Sequence, residues 1–332
     1  MKKICLFIIL VLLSSHTTYS KNNATNNVCV YAIPGLNNVG VEDDYVQMCL
    51  SDKDNTAHVT RIESPIVRID LGQKHCQNYL KQALEKDDTD DIIIYATSQG
   101  TATALNYLAN VDCNHNQKIK ALVLESVLIS GNDAIQHTVS DQMGCAFVKK
   151  IPSYYYWLPY AAKLLYPFYS PAGQQVITSL QNIPNDIPII IIHADNDFQL
   201  SYEGACALYY GLRTNGNNNV YLITKHTRQH LYLLNKRPDL QKDVRNILKH
   251  HNLLTSSTRE QTGQAAPYDF TAHQPNPDDF QNTYNIILNR ETWHTRLWYT
   301  MFIGGISGAV GLACYIGKKL GIVDKIFSTD SF

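Results

Sequence analysis

Between residues 28 and 254, short apolar runs alternate with amphipathic stretches, the pattern of a mostly parallel sheet wrapped by helices. The compact run 28–33 stops at Pro34-Gly35, which predicts a strand closed by a turn. Segments 58–62 and 67–70 are weaker strand candidates. Over 74–85, Cys76, Tyr79, Leu80, Ala83 and Leu84 recur at helical spacing, and the charged stretch 86–91 ends the helix. Ile92-Ile93-Ile94-Tyr95 is the kind of run that a parallel sheet buries on both faces. A helix is expected over 101–109, with Ala102, Ala104, Leu105 and Leu108 inward. Strands are expected at 119–129, 187–192 and 220–224, and an amphipathic helix over 240–250 closes the unit.

The rhythm breaks at 131–183, an insertion rich in aromatic residues. Such a segment packs as a helical cap, and caps commonly line substrate pockets, so Tyr155, Trp157 and Tyr160 are candidates for substrate contact. The body of the chain is therefore expected to be one α/β unit over 21–255 with a cap inserted. From 256 to 296 the chain turns polar and carries Pro267, Pro275 and Pro277, which predicts a flexible linker; only 284–288 has the apolar residues to dock.

Two terminal segments stand apart. Met1-Lys2-Lys3 precedes the apolar run 4–13 and a polar stretch, so 1–20 reads as a secretory signal. Ten residues at ~1.5 Å each reach about half of a ~30 Å hydrocarbon core. The competing reading is an uncleaved anchor. Residues 297–317 hold no charge and are long enough to span, with Trp298 and Tyr299 placed for an interfacial belt. Lys318 and Lys319 then place a short tail, 318–332, in the cytoplasm. Gly304 and Gly308, continued by Gly311, offer a small-residue face for a homodimer. A buried helix of the globular domain is the alternative.

Composition narrows the function. Lys and Arg number 28 against 29 Asp and Glu, so no basic surface recruits nucleic acid. Outside the two apolar termini lie Cys29, Cys49, Cys76, Cys113, Cys145 and Cys206; export permits disulfides, but six cysteines allow fifteen pairings. None forms a Cys-x-x-Cys pair, and nothing in the chain asks for a metal ion or another cofactor.

The chemistry centres on Ala96-Thr97-Ser98-Gln99-Gly100, between a buried strand and a helix. A nucleophile elbow needs small residues two before and two after its serine, because the tight turn brings those backbones against neighbouring elements. Ala96 stands where glycine is usual, and Gly100 is retained. An ordinary helix cap also favours serine, so the pentapeptide gains its weight from its flanks.

These motifs resemble the α/β-hydrolase superfamily over 28–254, in the family's order of serine, acid and histidine. His193-Ala194-Asp195-Asn196-Asp197, with Leu200 after it, is similar to the family's acid turn; matching by position gives Asp197, with Asp195 as fallback. The segment 228–234 resembles the histidine loop and favours His230, with His226 the alternative. The resemblance implies that His230 deprotonates Ser98, that Asp197 orients the ring, and that backbone amides of Gln99 and Leu36 hold the oxyanion. It implies a serine hydrolase acting on an ester, thioester or amide; the terminal segments add export and a membrane tether facing away from the cytoplasm, and with the aromatic insertion they lean toward an acyl or lipid-like substrate. A binding or scaffolding protein that kept the fold and lost the activity is the other reading.

Overall fold

The computed structural model describes residues 27–52, 55–63, 70–89, 91–110, 117–142, 158–160, 168–254, 274–297 and 299–300. Its centre is a six-stranded parallel sheet in the order β2-β1-β3-β4-β5-β6, formed by β1 (Asn27–Ile33), β2 (Thr56–Arg61), β3 (Ile92–Thr97), β4 (Ile119–Glu125), β5 (Ile189–Ala194) and β6 (Val220–Lys225). β1 lies next to one edge; the chain adds β2 as that edge strand, then crosses back to β3 on the other side of β1 and winds the other way through β4, β5 and β6. Central strands are buried on both faces, β3 and β5 at every position, which is why their sequences are unbroken apolar runs.

Side chains alternate between two cores. Tyr31, Ile33, Ile92, Ile94, Leu122, Leu124, Ile189 and Ile191 face one layer, formed by α2 (Lys74–Lys86), α3 (Gln99–Asn110) and α6 (Tyr202–Thr214). Val30, Ile93, Tyr95, Val123, Ile190 and Ile192 face the other, formed by α1 (Asp43–Leu50) and α7 (Pro238–His250). The insertion begins as α4 (Gly131–Gln142), and the chain rejoins the core at the short α5 (Val176–Ser179).

Two helices carry no legible stripe in the sequence. α1 is eight residues long, with Asp43 and Asp44 favourably placed in its first turn. α6 is apolar almost all round because it is buried, and Ser201 caps it by accepting the Gly204 amide at 3.2 Å. β4 is shorter than its apolar run predicts. It stops at Glu125 because Ser126 turns to φ 54° and donates its amide to the Ile192 carbonyl.

The expected linker is corrected over 274–296. Here the chain forms a 3-10 turn, Pro277–Phe280, and then helix α8 over 281–297, seated on the core. Ile287 enters the first core, and Glu291 is fully buried, accepting from the Ser130 hydroxyl at 2.6 Å and from the Asn132 amide. Arg290 pairs with Asp133, and the Tyr160 hydroxyl donates to the His294 carbonyl at 3.1 Å. A polar composition resembles a tether when its anchoring contacts are polar. The signal 1–20, the linker portion 255–273, and nearly all of the span 297–317 with its tail lie outside the described residues. Among the described residues, no helix is long and apolar enough to cross a membrane. The four described cysteines, Cys29, Cys49, Cys76 and Cys206, are buried free thiols.

Burial raises the Glu291 carboxyl from its ordinary 4.5 to about 7, against the opposing effect of its two donors. The folded chain therefore holds a proton that the unfolded chain releases, so this group's stabilisation is full below about pH 4.5 and is lost as pH rises through about 7. Comparison of wild type with Glu291→Gln by thermal melts across that window is expected to show the wild type losing stability relative to the variant. A constant difference between them refutes the assignment.

Candidate active site

Ser98 lies at the C-terminal end of β3, in the one-residue turn before α3. Its φ of 49° is the left-handed region, costing a non-glycine residue roughly 1–2 kcal/mol. Neighbours hold it there: the Ser98 amide donates to the Glu125 carbonyl at 2.9 Å, and the Ser98 carbonyl accepts from the Thr101 hydroxyl at 2.6 Å. Thr101 Oγ1 in turn accepts the Leu128 amide at 2.9 Å, tying the elbow to the end of β4. Gly100 is obligatory, since a Cβ there would lie 2.2 Å from the Ile33 carbonyl oxygen. Ala96, the departure from the usual glycine, buries its methyl in the first core without displacing the turn.

Asp197 arrives from the loop after β5 and His230 from the loop after β6. His230 Nε2 is 3.0 Å from Ser98 Oγ, and His230 Nδ1 is 2.8 Å and 3.0 Å from the Asp197 oxygens. All three are buried. Asp197 also accepts the amides of Gln199 at 2.7 Å and Leu200 at 3.1 Å. Burial alone pushes its carboxyl up, but the bonds from His230 and the Gln199 amide outweigh this and hold it below the ordinary carboxylate value. Its ionised form faces Nδ1 and so places the imidazole proton there, leaving Nε2 free to accept from the serine.

The fallback residues occupy a different place. His226 Nδ1 pairs with Asp195 Oδ2 at 2.7 Å, with the His226 side chain 93% exposed. The two unchosen residues thus bind each other at the surface. Of the substrate-contact candidates, Tyr155 and Trp157 lie outside the described residues, while Tyr160 is engaged with α8.

The loop after β1 passes directly over Ser98. A Cβ on Gly35 would lie 3.0 Å from Ser98 Cβ and 3.6 Å from its Oγ. The Gly35 amide donates to the Val39 carbonyl at 2.9 Å, and Arg61 donates to the Asn38 carbonyl, closing a small loop that begins at Leu36. Gln99 follows the serine as the first residue of α3, so its amide lies at a helix N-terminus.

Three further residues support this arrangement, and none has a role assigned by the sequence motifs. His193 is buried; its Nδ1 accepts the Val127 amide at 3.0 Å, which puts its proton on Nε2, 4.0 Å from Asp197 Oδ2. Burial lowers it to about 4, so it stays neutral beside the acid turn. Ser126 Oγ donates to the His230 carbonyl. Glu125, with no exposed surface, accepts the Leu233 amide. Its signal was present as a lone carboxylate in the apolar run 119–129, where a charge is buried only with partners.

The arrangement is α/β-hydrolase-like in sheet and order, with serine after β3, acid after β5 and histidine after β6. It provides a hydroxyl against a base against a carboxylate, the requirement for nucleophilic acyl transfer. No protein-family profile matches the chain, and no curated protein matches it in sequence. Among solved structures it is similar to an esterase of Pyrococcus furiosus, at 18% identity over 68% of this chain and 82% of that one, with a TM-score of 0.46. It is also similar to an acylaminoacyl peptidase of Pyrococcus horikoshii, at 14% identity over 70% of this chain and 38% of that one, TM-score 0.47. A third is a membrane phospholipase A described as a bacterial virulence factor, at 13% identity over 76% and 99%, TM-score 0.45.

The two histidines separate by experiment. His230→Ala is expected to abolish labelling of Ser98 by a fluorophosphonate, whereas His226→Ala is expected to label at the wild-type rate. The opposite pattern refutes the assignment of the base.

Proposed function

We propose that this chain is a serine hydrolase that cleaves an ester, thioester or amide through an acyl-enzyme intermediate. The observation that carries the reading is the 3.0 Å contact between Ser98 Oγ and His230 Nε2 on a left-handed turn. Ser98 Oγ attacks the substrate carbonyl carbon as its proton passes to His230 Nε2, and the carbonyl π pair moves to oxygen. The imidazolium is stabilised by Asp197. The oxyanion takes hydrogen bonds from the amides of Gln99 and Leu36, the latter being the first amide past Gly35, whose own N–H is committed to Val39. Collapse of the intermediate expels the leaving group, which takes the proton from His230. Water then enters by the same steps, and the acid product and free Ser98 are restored.

The acyl or lipid-like substrate, export and membrane tethering belong to the same proposal. They are supported by the aromatic insertion and by the apolar runs 4–13 and 297–317. Dimerisation through Gly304 and Gly308 is a further part of it.

Fluorophosphonate labelling, followed by hydrolysis of p-nitrophenyl esters of rising chain length, tests the chemistry. Wild type is expected to label, and Ser98→Ala to lose on the order of 10⁴-fold or more in kcat/KM. Folded wild-type protein that does not label refutes the enzyme and leaves the scaffold reading. For the tether, the full chain is expected to stay in the membrane pellet after alkaline carbonate washing, and a chain ending at residue 296 to leave it; equal partitioning refutes it.

A further inference from the structure

The end of β4 carries a residue that touches neither the Ser98 hydroxyl nor the His230 ring, yet bonds to the segments that bear both. The main-chain carbonyl of Glu125 accepts the Ser98 amide at 2.9 Å. Its side-chain Oε1 accepts the Leu233 amide, three residues past His230. Its Oε2 accepts the hydroxyls of Tyr45 at 2.9 Å and Tyr95 at 2.5 Å. Tyr45 extends the clamp by accepting the Leu234 amide at 3.1 Å, and Ser126 adds the bond to the His230 carbonyl. One buried residue thus fixes the nucleophile turn on one side and the histidine loop on the other.

We propose that Glu125 is a positioning residue for the reaction: through its carbonyl and its carboxyl it sets the spacing of Ser98 and His230. The proposal rests on the serine-hydrolase reading above. A carboxylate this deep is costly unless bonded, and three donors converge on it. Burial raises its carboxyl above the ordinary value, against the lowering effect of these donors. Lys225 adds to the same cluster by donating to the Leu233 carbonyl at 2.9 Å.

Glu125→Gln keeps the size and removes the charge. Relative to wild type, kcat on a p-nitrophenyl ester is expected to fall on the order of 10²-fold with KM little changed, the pattern of lost alignment rather than lost binding. A purely structural role lowers the yield of folded enzyme and leaves kcat per labelled site unchanged. Amide hydrogen exchange supplies a readout independent of turnover: Leu233 and its neighbours are expected to exchange faster in the variant. Wild-type kcat, or unchanged exchange at Leu233, overturns the proposal. If wild type itself does not label, the hydrolase reading fails, and the exchange result still decides the clamp. Should Glu125→Gln not fold, Tyr95→Phe removes one donor and is expected to shift kcat and Leu233 exchange in the same directions by less; wild-type behaviour there overturns the proposal equally.

Discussion

The fold depends on forcing one L-residue, Ser98, into a left-handed turn at the end of a fully buried strand. The chain cannot hold that turn by local preference, which opposes it. It is held because the turn is wedged: Gly100 brings the start of α3 against the carbonyls of Ile33 and Pro34, so close that any side chain there collides. The same closeness carries the Pro34–Leu36 loop over Ser98, whose hydroxyl meets His230 beyond the carboxyl ends of the strands. The placement of the Ser98 hydroxyl and the proximity of backbone amides are thus two results of one steric constraint.

A second constraint is the polar layer at the carboxyl ends of β3, β4, β5 and β6. The parallel strands bring their carboxyl ends together on one side of the sheet, and the loops beyond them are hydrogen-bonded to one another. Ser98 reaches the β4 end, Ser126 reaches both β5 and the histidine loop, and His193 accepts an amide from the loop after β4. α4 continues the layer outward, its His137 contacting the Asp197 carbonyl at 2.9 Å and Thr138 donating to the Gln199 carbonyl at 2.9 Å. From the first turn of α4, Asn132 and Asp133 reach Glu291 and Arg290 of α8. A helix read from sequence as part of a loose tether is therefore two contacts away from the acid turn.

The strands and main helices were legible because burial on both faces writes itself as unbroken Ile, Val and Leu, and half-burial as a stripe. Ser98, Asp197 and His230 were legible as motifs because each lies just beyond such a run, at a spacing that the turn geometry demands. α1 was too short and α6 too uniformly apolar to show a period. Helix α8 was hidden because it docks through Glu291 and Arg290, residue types whose default position is water.

The sequence by itself determined the layered parallel architecture and the order of the serine, acid and histidine segments, since these follow from periodicity and local turn chemistry. The apolar residues after His230 favour it over His226 in the sequence, but the two share one loop, and only the tertiary structure decided which of them faces the serine. The choice is made by residues distant in sequence, Asp195 drawing His226 to the surface while Glu125 and Ser126 pull the loop inward around His230. Hydrogen bonds between segments a hundred residues apart leave no periodic trace, so the role of Glu125 emerges only once the strand ends are brought together.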